Sequence, residues 1–155
     1  MNTSKHVYLS KKGIDELKEK IIDLKNDISK TRLELYELDK HDGFEERLAR
    51  IVKLDYLQAS EIELHDKQSI LNKAKLLPRK RDRLFVALGS VVDMIDGQGR
   101  LLRYTIVDSL EANPSDGRIS ANSPLGKSLI GKQIKQSVSL YLNGKSSKLK
   151  LVKIN

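Results

Sequence analysis

The stretch that decides the fold is residues 14–38, IDELKEKIIDLKNDISKTRLELYEL. Its apolar positions recur at alternating intervals of three and four residues, with one threonine in the series: Ile14, Leu17, Ile21, Leu24, Ile28, Thr31, Leu35 and Leu38. This heptad register is typical of an α-helix that buries one narrow stripe against another helix. Since Ser10 can cap its start, the pattern predicts a helix from near Ser10 to near Lys40, about 45 Å long.

A second helical run is predicted from Glu45 to Leu77, ended by Pro78 and separated from the first by the helix breaker Gly43. Its apolar stripe is weaker, with two polar interruptions: Leu54, Leu57, Glu61, Leu64, Gln68 and Leu71. Two amphipathic helices joined by a short turn bury their stripes on each other, which predicts an antiparallel coiled-coil hairpin over residues 1–77. Two splayed arms, each binding another chain, are the alternative.

The second half of the chain has the composition of a small sheet domain. Short runs rich in Val, Ile, Leu and Tyr, bounded by Gly, Asn, Ser and Pro, indicate strands within 85–96, 100–109, 136–143 and 147–155. The segment SPLGKSLIGK, residues 123–132, predicts a helix of about two turns packed on the sheet. We therefore predict an α+β protein in which a basic linker, 78–84, joins the hairpin to a globular domain, 85–155.

The net charge of +8 is unevenly distributed. Residues 1–77 contain 15 basic and 15 acidic side chains, the linker contributes +3, and residues 85–155 contain ten basic against five acidic. A basic second half indicates contact with nucleic acid or an acidic protein; a solvated lysine-rich surface is the alternative. The chain has no cysteine, which excludes disulfides and thiolate metal sites. Without an apolar signal segment or membrane span, we expect a soluble cytoplasmic protein with no membrane partner.

Three stretches resemble the Gre family (GreA/GreB) of bacterial transcription elongation factors. YLSKKGIDELKEKIIDLK, residues 8–25, resembles the family's opening LTxxGxxxLxxEL. GSVVDMID and RYTIVDSLEANPSDGRISANSPLGKSLIGK, within 89–132, resemble the family's GxxVxL and xYxIVGxxEADxxxGxISxxSPLGxALLGK. SVSLYLNGKSSKLKLVKI, residues 137–154, resembles the closing hairpin of the family.

The resemblance implies an FKBP-like globular domain and a bacterial RNA polymerase partner. In this family the hairpin enters the secondary channel of the polymerase, and its tip offers carboxylates beside the polymerase's own Mg²⁺. There they help to hold a second Mg²⁺ and a water that attacks backtracked RNA, since two hard cations stabilise both the attacking and the leaving oxygen. The resemblance thus implies no enzyme and no cofactor of its own, only Mg²⁺ shared with the polymerase.

The tip departs from the family pattern GDLxENAEYxAAK. This chain reads HDGFEERLARIVK over residues 41–53. Asp42 and Glu45 retain the Asp-x-x-Glu spacing and are the predicted Mg²⁺ ligands, with Glu46 as a substitute tip carboxylate. The same spacing is that of a capping box, in which Asp42 caps the second helix and Glu45 reaches back, a role that needs no metal. Cleavage stimulation and occupation of the channel without cleavage, which would modulate or inhibit transcription, therefore both remain open.

Other residues have predicted roles in binding. The resemblance places Ser123, Pro124 and Leu125 at the polymerase contact, and a turn before the short helix is their structural alternative. A phosphate backbone, of nascent RNA or of DNA in the elongation complex, is the predicted partner of the linker residues Arg79, Lys80, Arg81 and Arg83, and a solvated linker is the alternative. A DNA- or RNA-binding protein that uses the basic second half is a further alternative, although clustered stacking aromatics are missing. The enzymatic alternative is a prolyl isomerase whose pocket would be lined by Phe85, Tyr104 and Tyr141.

Overall fold

The computed structural model describes residues 7–40, 43–78, 83–142 and 145–155. Contacts divide it into two units, Lys12–Ala74 and Val7–Lys11 with Lys75–Asn155. The first is a helical hairpin and the second a mixed sheet with one short α-helix, which confirms the α+β fold class. The predicted limits of the linker stay a prediction, because 79–82 lie outside the described residues. No helix in the described ranges is long and apolar enough to cross a membrane.

The first helix, α1 (Lys11–Leu38), follows the predicted heptad register. Ile21, Ile28, Thr31 and Leu35 are buried, and the other four heptad positions are half-buried. Between them the side chains are mostly exposed. The stripe predicted from the sequence is therefore the face of α1 that packs.

The second helix, α2 (Phe44–Lys73), runs antiparallel to α1. Three ion pairs connect the helices: Arg32–Glu61 at 2.6 Å, Glu34–Lys53, and Asp39–Arg50 at 2.7 Å. From one pair to the next the residue number rises on α1 and falls on α2, as it must in antiparallel helices. These pairs confirm the antiparallel hairpin and rule out splayed arms.

The stripe predicted for α2 is wrong at one leucine. Leu54 is 46% exposed, whereas Ser60 is 5% exposed. The half-buried and buried positions in the first two thirds of the helix are instead Glu46, Ala49, Lys53, Leu57, Ser60 and Leu64. Ser60 can lie inside because its hydroxyl donates to the Tyr56 carbonyl at 2.8 Å, which leaves no unpaired polar group. A pattern of apolar residues does not predict this face of α2, because several of its positions are occupied by polar side chains.

The end of α2 also differs from the prediction. The helix stops at Lys73, and Ala74–Leu76 forms strand β2, which pairs with β1 (Val7–Leu9). The Leu77 amide donates to the Leu9 carbonyl at 2.9 Å, which continues the pairing. Pro78 is thus not what ends the helix. Hydrogen bonds to β1, which is distant in sequence, stabilise these residues in an extended conformation, and a local sequence pattern cannot predict them.

The second unit contains a five-stranded sheet in the order β5-β4-β3-β7-β6. Its strands are β3 (Val91–Ile95), β4 (Leu101–Val107), β5 (Arg118–Ser120), β6 (Ser137–Leu142) and β7 (Lys145–Ile154). The β4–β5 pair is parallel and the other pairs are antiparallel. The sequence predicted β3, β4, β6 and β7 but missed β5, which is only three residues long.

One face of this sheet is covered by α3 (Pro124–Leu129), the predicted short helix. The core between them contains Val86, which precedes β3, the alternate, inward-facing residues of the strands, and two leucines from α3: Val86, Val92, Met94, Ile106, Leu125, Leu129, Val138, Leu149, Leu151 and Ile154. Gly126 brings α3 close to the chain beneath it, because a Cβ there would lie 2.1 Å from the Ser120 carbonyl oxygen. Only glycine permits this approach.

Candidate functional site

The end of the hairpin is built differently from the predicted capping box. The N-cap of α2 is Gly43, in an extended conformation (φ −71°, ψ 159°), and no side chain caps the helix. The prediction that Asp42 is the N-cap is therefore wrong, although Asp42 itself lies outside the described residues. With Gly43 at the N-cap, Glu46 and not Glu45 occupies the third helical position. From this position a carboxylate can reach back towards the backbone amide of the N-cap residue.

Glu46 does fold back towards Gly43. Its Oε2 lies 1.8 Å from the place that a Cβ on Gly43 would occupy, so the carboxylate fills the space beside this glycine. Glu45 is exposed instead, and its carboxylate has no ion pair in the described part of the chain. Both lie in the first turn of α2, where the partial positive charge of the helix N-terminus stabilises a carboxylate. Glu45 is thus the carboxylate that faces solvent.

Nearby acidic groups are already paired. Asp39 binds Arg50 at 2.7 Å, and Glu37 binds Lys40 at 2.7 Å. The Lys40 ammonium also lies 4.8 Å from the centre of the Tyr36 ring. These contacts leave Glu45 and Glu46 as the tip carboxylates without a basic partner among residues 7–40 and 43–78.

The fit of these residues to Mg²⁺ can be judged from their number. No cluster of three or more acidic, histidine or cysteine side chains that could hold a metal occurs in the described ranges. Mg²⁺ prefers six oxygen ligands in octahedral geometry, of which proteins often supply one or two as carboxylates. Glu45, the carboxylate that faces solvent, would suit a shared ion whose other ligands come from a partner.

The segment Ser123–Leu125 combines structural and surface roles. The Ser123 hydroxyl donates to the Ser120 carbonyl at 2.7 Å and accepts from the Gly126 amide at 3.0 Å, so it is the N-cap of α3. Pro124 is exposed, whereas Leu125 packs in the core. The predicted partner contact stays a prediction, and Pro124 is the residue of the three whose side chain is available for it.

The basic linker is described at one of its four predicted contact residues. Arg83 is exposed, while Arg79, Lys80 and Arg81 lie outside the described residues. Their proposed phosphate contact stays a prediction. The isomerase alternative loses its geometric basis, because Tyr104 packs against the core and Tyr141, 74% exposed, lies on the opposite sheet face. These two aromatic side chains cannot line one pocket.

Sequence reasoning missed two buried carboxylates in the second unit. Glu111 is buried and accepts hydrogen bonds from the Ser10 amide at 2.9 Å and the Ser10 hydroxyl at 2.5 Å. Asp93, also buried, forms a two-pronged ion pair with Arg103, at 2.6 Å to Nε and 2.9 Å to Nη2. Glu111 belongs to the EAN segment that resembles the family motif, but neither residue has a local signal of burial.

The Arg103 guanidinium holds the pKa of Asp93 below its usual value, chiefly by hydrogen bonding; burial opposes this effect, and the charges of Arg103 and Lys153 add to it. Asp93→Asn is expected to lower the free energy of unfolding at neutral pH by about 1–2 kcal/mol, a modest value because Arg103 is largely exposed. Since the folded-state pKa is depressed, the contribution of Asp93 is complete above the unfolded-state pKa of about 3.9 and disappears as pH falls through the folded-state value. Urea unfolding of both proteins over a pH series measures this, and a difference that does not shrink in acid contradicts it.

Comparisons with known proteins identify one family. The family model described as "Transcription elongation factor, GreA/GreB, C-term" matches residues 82–155. The chain is 32% identical over 144 residues to the transcription elongation factor GreA of Chlorobium phaeobacteroides (strain BS1), covering 90% of each chain. It is 35% identical over 89 residues to GreA of Bacillus subtilis (strain 168), covering 57% of each. A solved structure of the transcription factor Gfh1 has 25% identity and a TM-score of 0.47, covering 97% of each chain.

The relationship to the Chlorobium protein extends across nearly the whole length of both chains and includes the hairpin as well as the sheet unit. The chain therefore belongs to the GreA/GreB family of transcription elongation factors.

Proposed function

We propose that this protein binds bacterial RNA polymerase, inserts the hairpin into the secondary channel and presents Glu45 at the catalytic Mg²⁺ to stimulate cleavage of backtracked RNA. The observation that carries the proposal is the state of Glu45, an exposed carboxylate without an ion-pair partner in the described residues, at the turn of a paired two-helix arm. Such an activity belongs in the cytoplasm, where bacterial transcription takes place.

The dimensions and surface of the hairpin support insertion into a partner. At about 1.5 Å per residue, the 28 residues of α1 span roughly 42 Å. Large apolar side chains near the turn are at least half exposed: Leu33, Tyr36, Phe44, Leu48, Ile51 and Val52. Exposed apolar side chains in this number typically mark a surface that another protein covers. We therefore place this half of the hairpin inside the channel.

The chemistry asked of the tip is modest. Glu45 would help to hold a second Mg²⁺ whose other ligands, like the RNA and the first Mg²⁺, the polymerase would supply; the chemistry that this ion would supply is a polarised water for attack on the RNA backbone. Glu45 contributes a carboxylate oxygen, which a hard cation prefers. Asp42, by its spacing, is the proposed companion.

Occupation of the channel without cleavage is the second candidate. It is favoured by Glu46, whose carboxylate is folded against Gly43 rather than directed outward. A carboxylate held in this way stabilises the start of α2 and is not available to a metal. The factor would then compete for the channel without supplying the ligands that cleavage requires.

A transcript-cleavage assay on a stalled bacterial elongation complex distinguishes the two candidates. We expect the wild type to shorten the RNA and Glu45→Gln to reduce the cleavage rate on the order of 100-fold, as misplaced catalytic groups do. Glu37→Gln is the matched control, because Glu37 is an exposed tip carboxylate already paired with Lys40, and it should retain the activity.

Two results would change the assignment. If the wild type binds the polymerase but leaves RNA length unchanged while slowing elongation, the non-cleaving candidate replaces the first. If neither binding nor cleavage is detected with the complete polymerase, both candidates fail.

A further inference from the structure

The sheet face opposite α3 is a second surface of interest, and none of the roles above uses it. We call it the outer sheet face. Strand pairing places six exposed side chains on it, from the strands β6, β7, β3 and β4: Tyr141, Lys148, Lys150, Lys153, Ile95 and Leu101. The buried Asp93 and its partner Arg103 lie on the same face.

The charge of this face is positive and largely unpaired. Asp93 is its one acidic residue, and Arg103 already binds both of its oxygens. Lys148, Lys150 and Lys153 have no ion pair in the described part of the chain, and the acidic residues that follow Asp93 are engaged elsewhere. Lys153 lies opposite Asp93, whose oxygens Arg103 already binds, so the three exposed ammonium groups of β7 leave this face with a net positive charge.

The arrangement of the face favours a polymer of phosphates. Lys148 and Lys150 are two residues apart on β7, so their side chains leave the sheet about 7 Å apart on the same side. Lys150 lies in one row across the sheet with Ile95 and Leu101, the latter 62% exposed. Tyr141, 74% exposed, lies on the neighbouring strand beyond Ser139, which pairs with Lys148.

We propose that the outer sheet face binds single-stranded nucleic acid, with RNA as the expected form. The three lysines contact phosphates, one base stacks on Tyr141, and apolar contact with Ile95 and Leu101 accommodates bases farther along the strand. A single strand suits a flat face better than a duplex does, because its bases are free to stack, whereas a duplex presents them only inside grooves. An acidic protein would also satisfy the lysines and cover the ring and the apolar side chains, so it is the competing occupant that the polyglutamate experiment below tests.

The test needs no polymerase, so its failure is distinguishable from failure of the proposed cleavage function. Fluorescence anisotropy measures binding of the full-length protein to a labelled oligouridylate of about 16 nucleotides, between about 50 and 200 mM salt. Lys148→Gln/Lys150→Gln/Lys153→Gln is compared with Lys18→Gln/Lys20→Gln/Lys25→Gln, which removes the same charge from exposed positions of α1.

We expect the sheet-face triple variant to reduce the slope of log affinity against log salt by about 2, because each lost phosphate contact contributes about 0.7. The control triple variant should keep the wild-type slope. Tyr141→Ala should weaken binding about tenfold without changing the slope, since stacking releases no counterions.

Several outcomes would overturn the proposal. They are absence of wild-type binding at the lowest salt, an equal loss of slope in both triple variants, tighter binding of duplex RNA than of the single strand, and displacement of the RNA by an equal charge concentration of polyglutamate. The last result would assign the face to an acidic protein.

Discussion

Gly126→Ala is expected to destabilise the second unit by about 3 kcal/mol, the upper part of the range for overpacked sites. The new Cβ would lie 2.1 Å from the Ser120 carbonyl oxygen and 2.9 Å from the Ala121 Cα, both backbone atoms that cannot rotate away. To relieve the clash, α3 must move off the chain beneath it, which breaks the bond between the Gly126 amide and the Ser123 hydroxyl.

Thermal unfolding measures the effect, and we expect the melting temperature to fall by about 15 °C for a unit of this size. Gly97→Ala is the matched control, because a Cβ at Gly97 meets nothing within 4 Å and should change stability by no more than about 0.5 kcal/mol. The displaced helix begins with Pro124, so the proposed polymerase contact of this residue should weaken as well. Equal stability of the two variants would mean that α3 does not approach Ser120 as closely as the structure shows.

Ile21→Ala is expected to destabilise the hairpin by about 3 kcal/mol. Ile21 is 7% exposed in the seam of α1, and the hairpin has few buried side chains to compensate for a cavity. The adjacent Ile22 is 57% exposed, so Ile22→Ala deletes the same atoms from the same helix without opening a cavity. Because alanine has the higher helix propensity, this control should be neutral or slightly stabilising.

Circular dichroism at the helical band during a thermal ramp compares the two variants. A large early loss of helix in Ile21→Ala alone is expected. If both variants melt together, α1 buries a different face and the heptad assignment is incorrect. The same loss of helix should abolish the proposed cleavage stimulation, because the tip is positioned only while the arms are paired.

The sequence was informative where a signal was both local and periodic. The heptad spacing of α1 predicted its limits and its buried face. The apolar stripe shows both where the helical period begins and ends and which side of the helix packs. Strand periodicity located β3, β4, β6 and β7, and the SPLG segment located α3 with Ser123 before it. The motif resemblance also reached the correct family, because the motif occupies many consecutive positions of the second unit.

The candidate site was less predictable. Asp-x-x-Glu spacing suggested a cap at Asp42, but the N-cap is Gly43, one residue later, so that Glu46 and not Glu45 occupies the third helical position. A shift of one residue is invisible to a spacing rule, yet it decides which carboxylate faces solvent. The lysines of β7 alternate with leucines in the sequence, but their exposure became clear only when β3 and β6 were paired on either side.

By itself, the sequence determined the helical hairpin and most strands, through their periods, together with the basic charge of the second half and the family. Only the tertiary structure decided the seam of α2, the strand at Ala74–Leu76, the burial of Asp93 and Glu111, and the exposure of Glu45. The physical reason is that a period is a property of consecutive residues, whereas burial and hydrogen-bond pairing depend on groups that folding brings from far along the chain. Examples are Lys53 and Ser60, which face α1, and Glu111, whose carboxylate accepts a hydrogen bond from the Ser10 hydroxyl.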